Sequence, residues 1–369
     1  MHRDPDDAGA DPEVEPLVTR GRRAGAFDAS PRLELTTVTT HSATFHEGST
    51  VDVIDGLEPA TEHMHRGIAF RTLPRPDGEL RCRIATVNDI HFGEVEAGRL
   101  GGTDLGPIQR VPEGADPYPE VMNRAVVAEI AESGPVAAVI VKGDITNDGE
   151  DDEFAAFEAC YRPPFGERLH VVRGNHDAYR GQDRYAGDQW IELPGVAVAL
   201  IDTVMPFHTG GRVLPEQVDW LDANASASAV PVVVMGHHPQ VLGRPGHDPT
   251  DNPDFNLSLE ATAALDAVFG RRPAIVAYTA GHTHGHRVQR AAGGVPSVEI
   301  GCVKDFPGTW AEYQVYDGGI LQIVHRISSP EALAWSEQCR GLYADFGVDY
   351  TTFGLGRLDH RCFFIPLRA

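Results

Sequence analysis

From Arg81 onward the chain alternates short β-branched apolar runs with segments of helical period, a pattern that points to an α/β fold. The runs are Ile84 to Val87, Ala137 to Val141, Leu169 to Val172, Val196 to Ile201, Val230 to Met235 and Ala274 to Tyr278, punctuated by Gly or Asp. Runs of this kind are predicted to be buried strands. Val121, Met122, Ala125, Val126, Ala128 and Ile130 line one face of a predicted helix, as do Leu257, Ala261, Ala264, Leu265 and Val268. Ala311 to Val315 and Ile320 to Arg326 flank Tyr316-Asp317-Gly318-Gly319, which predicts a hairpin.

Ligands of an open α/β sheet collect at the carboxyl ends of its strands, so the residues placed there matter most for function. Here those ends carry Asn88-Asp89-Ile90-His91, Lys142-Gly143-Asp144, Arg173-Gly174-Asn175-His176-Asp177, Gly236-His237-His238-Pro239 and Gly281-His282-Thr283-His284. Each piece alone has an ordinary explanation as a solvated turn, a loop start or a surface loop. Together, five strand ends deliver carboxylate, imidazole or amide groups. In Asp89-x-His91 and His282-x-His284, alternate residues of an extended segment are expected to point the same way. Glycines before Asp144, Asn175, His237 and His282 are expected where the backbone turns sharply into a site.

The ordered set resembles the calcineurin-like metallophosphoesterase family, whose pattern is Asp-x-His, Gly-Asp, Gly-Asn-His-Asp/Glu, Gly-His-x-Pro and Gly-His-x-His. The resemblance spans roughly Arg81 to Arg326 and includes every element. It implies a two-layered β-sandwich flanked by helices, four layers in the order α/β/β/α, over a catalytic domain expected at 81–329. It also implies a dinuclear metal centre. One metal is then expected on Asp89, His91, Asp144 and His284, and the second on Asp144, Asn175, His237 and His282, with Asp144 as the bridge. Imidazole, carboxylate and amide donors without thiolate suit Mn, Fe or Zn ions and do not choose among them. The reaction implied is in-line attack on a small phosphoester by a metal-bridging hydroxide. By the same resemblance His176 is the non-ligand histidine that faces the leaving group, a general-acid role. Asp177 is expected to hold its ring in the right tautomer. His238 is expected behind the ligands, while His286 is as readily solvent-facing. Trp310 and Lys304 to Gly308 are candidates to line the substrate mouth but are more readily expected to pack.

Within the superfamily, Ser/Thr protein phosphatases carry Gly-Asp-x-x-Asp-Arg-Gly, against Gly143-Asp144-Ile145-Thr146-Asn147-Asp148-Gly149 here. Purple acid phosphatases use a Tyr ligand where Asn147 stands. The chain is most similar in texture to the bacterial branch of class III cyclic-nucleotide phosphodiesterases, through Gly174-Asn175-His176-Asp177 and through Leu200-Ile201-Asp202-Thr203 followed by Gln217-Val218-Asp219-Trp220-Leu221. That makes small phosphodiesters, cyclic nucleotides first, the expected substrates. A phosphomonoesterase, or a non-catalytic scaffold that kept the fold, is the alternative. The scaffold is expected to lack a ligand or His176, and none is missing.

With 31 Lys plus Arg against 54 Asp plus Glu, the net charge is −23, which opposes binding to bare nucleic acid or an anionic membrane. Five scattered cysteines form no CxxC pair, and the first thirty residues carry no apolar run of the kind a secretory signal needs. A cytoplasmic protein is expected. Residues 1–31, rich in Asp, Pro and Gly, are expected to be a disordered tail. The segment 32–76 alternates like β-strands. Within it, Ile54 to Glu62 followed by Phe70-Arg71-Thr72 resembles the later strands of a fibronectin type III module. Residues 330–369 form a helix and an aromatic extension expected to cover either the core or a second copy in a homodimer.

Overall fold

The computed structural model describes residues 27–100, 103–243 and 251–368, so residues 1–26 of the expected tail lie outside the described residues. The N-terminal strands are β1 (Leu33–Val38), β2 (Ala43–Glu47), β3 (Thr50–Ile54), β4 (Glu62–His65) and β5 (Ile68–Arg71). There follow β6 (Leu80–Val87), the hairpin β7 (Glu96–Leu100) and β8 (Thr103–Arg110), α1 (Tyr118–Glu132), β9 (Ala138–Lys142), α2 (Asp151–Phe165) and β10 (Leu169–Val172). The second half holds β11 (Gln189–Leu193), β12 (Val196–Leu200), α3 (Pro215–Ala227), β13 (Val232–Met235), α4 (Leu259–Arg271), β14 (Ile275–Ala280), β15 (Arg287–Arg290) and β16 (Pro296–Glu299). The chain closes with β17 (Thr309–Tyr316), β18 (Gly319–Arg326), α5 (Pro330–Gln338), α6 (Tyr350–Leu355), α7 (Leu358–Arg361) and β19 (Phe363–Pro366).

Two six-stranded sheets, ordered β10-β9-β6-β17-β18-β19 and β11-β12-β13-β14-β16-β15, form the sandwich. Ile84, Ile140 and Val324 of the first meet Val198, Leu200 and Met235 of the second in the central core. The outer face of the first sheet packs on α1, α2 and α5 through Val126, Phe157 and Ala332. That of the second packs on α3 and α4 through Leu221, Leu265 and Phe269. This is the expected α/β/β/α stack. Because both faces of each sheet are covered, β9 and β12 are buried at every position and show no polar alternation.

Helix α2, with Pro163 and Pro164 in its last turn, buries Phe154, Phe157 and Tyr161. The Tyr316 to Gly319 hairpin forms as predicted, with Tyr316 paired to Gly319. The segment likened to part of a fibronectin module is a three-stranded sheet, β1-β2-β3, and a separate hairpin, β4-β5. Its Val38, Phe45 and Phe70 share a core with Leu321 and Ile323 of β18 and with Cys362. The C-terminal extension lies on its own chain: Tyr350 and Phe353 pack with Phe306, and β19 pairs with β18. All five cysteines are free, and among the described residues no helix is long and apolar enough to cross a membrane.

Candidate metal centre

Strands β6, β9 and β10 are mutually parallel, as are β13 and β14, so their carboxyl ends fall on one edge of the sandwich. The first three deliver Asp89 with His91, Asp144, and Asn175 with His176. The other two deliver His237, and His282 with His284. The local geometry differs from the extended segments expected: Asp89, His91, Asp144, His282 and His284 all have positive φ, between 41° and 71°. Non-glycine residues reach that region at a cost, and such strain gathers at functional sites. Each segment therefore turns tightly after its strand ends, and the turn, not strand alternation, aims the side chains. Of the four glycines expected to turn, only Gly143 takes a positive φ, of 82°. At Gly174 the requirement is room, since a Cβ there would stand 2.2 Å from the Asp144 amide nitrogen.

The carboxylates fasten the loops to one another. Asp89 accepts from the His282 amide at 2.9 and 3.1 Å, and Asp144 accepts from the His176 amide at 3.0 Å. Around them, His284 Nε2 lies 3.5 Å from Asp89 Oδ1, while His91 Nε2 and His237 Nε2 lie 3.5 and 3.2 Å from Asp144 Oδ2. Asn175 Oδ1 is 3.1 Å from His237 Nε2. Ligand atoms of Asp89, His91 and His284 lie within 4.8 Å of one another, as do those of Asp89, Asp144 and His237.

The donor set fits two cations. Among the described residues, both ring nitrogens of His91 and Nδ1 of His282 are buried without a hydrogen-bond partner, which is costly unless another ligand meets them. His237 donates Nδ1–H to the Lys142 carbonyl at 2.9 Å and His282 donates Nε2–H to the Phe255 carbonyl at 2.8 Å. Each so turns its other ring nitrogen toward the cluster. Burial alone would raise Asp89 and Asp144, yet the histidines beside them hold both well below the usual carboxylate range. Burial, with the nearby charges of His176 and Lys304, draws His91 down to about 4, and burial draws His282 down to about 3, the neutral form a metal requires. Against its burial, Asp144 draws His237 up to about 9. Positive charge is thus favoured where the carboxylates point.

His176 lies against the cluster, its ring centroid 4.4 Å from that of His91. Asp177 does not hold that ring, contrary to expectation. Its carboxylate is consumed by the backbone amides of Ile145, Thr146 and Gly174 and the Thr146 hydroxyl, at 2.7 to 3.1 Å. Four donors at the strand ends outcompete one imidazole, and Asp177 clamps the Asp144 loop to the Asn175 loop. The Asn147 carbonyl takes the ring instead, accepting from His176 Nδ1 at 2.6 Å. A backbone acceptor leaves no side-chain signal in a sequence.

His238 stands behind His237 and His282, between Thr203 Oγ1 and the Thr209 carbonyl. His286 is turned away from solvent and from the cluster, donating Nδ1–H to the Gly354 carbonyl at 2.6 Å. Trp310 packs, stacked on His325. Two neighbours escaped the reading. Phe255 lies over His282 at a centroid distance of 4.1 Å, with no local sequence signal. Glu94 stands three residues beyond His91, a carboxylate spacing that was legible, and approaches its Nδ1 to 3.6 Å.

A two-sheet sandwich with a buried cluster of imidazoles and carboxylates at its strand ends defines a class of metal-dependent proteins. Residues 82–286, more than half of the chain, match the family model described as calcineurin-like phosphoesterase, and the chain belongs to that family. It is 30% identical over 132 residues to a probable cyclic nucleotide phosphodiesterase of Rhodococcus erythropolis, covering 32% of this chain and 44% of that protein. Over 110 residues it is 26% identical to another of that description from Synechococcus, covering 28% and 43%. The chain therefore covers less than half the length of either relative. A dimetal phosphatase of Danio rerio shares the fold, with a TM-score of 0.50 at 15% identity, covering 66% of this chain and 96% of that one.

Proposed function

We propose that the protein is a dinuclear metal-dependent phosphodiesterase acting on small phosphodiesters, with cyclic nucleotides first among them. The observation that carries the reading is the meeting of Asp89 and Asp144 with His91, His237, His282 and His284, including buried ring nitrogens that have no hydrogen-bond partner among the described residues. Asp89, His91, Asp144 and His284 would hold one ion, and Asp144, Asn175, His237 and His282 the other. Two ions so placed supply an activated water and a clamp on the attacking and departing oxygens of an in-line displacement. His176 supplies a proton to the departing oxygen, oriented by the Asn147 carbonyl. The net charge of −23 favours small substrates over polyanions, and the names of the two relatives support a cyclic nucleotide.

The test is turnover of bis(p-nitrophenyl) phosphate, p-nitrophenyl phosphate and cyclic AMP by metal-stripped protein resupplied with Mn²⁺, Fe²⁺ or Zn²⁺, and by Asp144→Asn. Metal-restored diesterase activity, absent in Asp144→Asn, is expected. A preference for the monoester would make the protein a phosphatase, and inactivity with every metal and ester would favour a scaffold.

A further inference from the structure

Behind His91 and His284 lies a buried charged group that the reading above does not use. Lys304, 3% exposed, donates to both oxygens of Glu94 at 2.8 and 2.7 Å and stands 3.5 Å from Asp305 Oδ2. Each carboxylate it touches faces a proposed ligand. Glu94 Oε2 is 3.6 Å from His91 Nδ1, and an oxygen of Asp305 lies within 4.8 Å of a His284 ring nitrogen. Asp305 Oδ1 is fixed by the Tyr350 hydroxyl at 2.7 Å and the Cys302 thiol at 3.0 Å, while Oδ2 accepts no hydrogen bond. The Lys304 amide donates to the Asp89 carbonyl at 3.2 Å, so the same residue also ties this group to the strand end that carries Asp89.

We propose that Lys304 is a positioning residue, holding Glu94 and Asp305 as the carboxylates that orient His91 and His284 toward the first metal. The inference rests on the dinuclear reading. A ligating imidazole usually donates its second N–H to a carboxylate or a carbonyl, which sets the tautomer and raises the basicity of the ligating nitrogen. The ligands of the second metal use neutral carbonyls, of Lys142 for His237 and of Phe255 for His282. Those of the first face the carboxyl groups of Glu94 and Asp305. Two further carboxylates beside Asp89 would be prohibitive in the interior without a cation among them, and Lys304 is that cation. The first metal position is accordingly the more firmly held.

The test is metal content per chain by mass spectrometry after dialysis against graded chelator, for wild type, Lys304→Met, Glu94→Gln, His91→Ala and the double variant His91→Ala/Lys304→Met. Wild type is expected to lose its two equivalents in separate steps. In Lys304→Met and Glu94→Gln the more resistant equivalent is expected to leave at about 10- to 100-fold lower chelator, and adding Lys304→Met to His91→Ala should cause only the smaller further loss that runs through Asp305 and His284. Glu94→Gln, nearly unchanged in shape, covers the case in which Lys304→Met does not fold. If Glu94→Gln holds both equivalents as firmly as wild type, Lys304 and its carboxylates are only a structural ion pair and the proposal fails. A wild type that retains no metal would overturn the dinuclear reading, and this inference with it.

Discussion

His176 donates Nδ1–H to the main-chain carbonyl of Asn147 at 2.6 Å, and its ring centroid stands 4.4 Å from that of His91. His176→Ala should therefore keep its metal while turnover falls about 10²- to 10⁴-fold, the usual contribution of a positioned general acid. The loss should be greater for alkyl than for nitrophenyl leaving groups. Metal analysis beside kcat for both ester types checks this, and an unchanged rate on an alkyl diester would remove His176 from the mechanism.

Asp177 acts through the backbone. Asp177→Ala strands the buried amides of Ile145, Thr146 and Gly174, and each unsatisfied donor costs about 1–3 kcal/mol. Denaturant unfolding of the metal-free protein should show a loss of at least about 3 kcal/mol on that scale. A loss below about 1 kcal/mol would mean that the clamp does not matter.

Glu312 predicts a pH dependence of stability. Burial would raise it, but His325, at 3.0 Å, and Arg83 outweigh burial and hold it at about 2, below the ordinary 4.5. A depressed carboxyl contributes stability above its unfolded value and loses it as pH falls through the folded value. The contribution, about 3 kcal/mol, should thus be complete above pH 4.5 and vanish toward pH 2. Circular dichroism under acid titration should show that Glu312→Gln is less stable at neutral pH and lacks this part of the acid slope. Identical acid profiles would refute it.

Arg340 joins the two ends of the chain. It is fully buried, paired through both terminal nitrogens with Glu34 at 2.9 and 2.8 Å, and its guanidinium lies 4.5 Å over the Phe306 ring. Glu337 also holds Arg340, at 2.7 and 2.8 Å, so Glu34→Ala removes two charge-assisted hydrogen bonds without stranding the charge and should cost about 1.5–3 kcal/mol. Calorimetry or denaturant melts read this directly. A near-neutral result would show that the N-terminal sheet is not energetically coupled to the catalytic core.

Much of the centre was legible because metal chemistry restricts residue types. Asp89, His91, Asp144, Asn175, His237, His282 and His284 stand immediately after apolar runs, where strand order alone places them on one edge. What was misread was how they get there: five of them turn through positive φ, and a backbone angle leaves no mark on the side-chain alphabet. Asp177 was misassigned for a related reason. The role carboxylates play beside catalytic histidines suggested a side-chain partner, whereas the carboxylate is taken by main-chain donors and the Thr146 hydroxyl. The C-terminal extension, open between core and second copy in the sequence, folds onto Phe306 of its own chain.

By itself, then, the sequence determined the layering and brought forward the proposed ligand set, because burial on both sheet faces demands continuous apolar runs and metal binding demands particular donor atoms. Only the tertiary structure decided which carbonyl or carboxylate stands behind each imidazole. Those contacts join Lys142 to His237, Phe255 to His282, Asn147 to His176 and Lys304 to Glu94, pairs that lie 27 to 210 residues apart. They form only when the segments that follow the strand ends are packed on one another, and three of the four use backbone atoms that every residue carries.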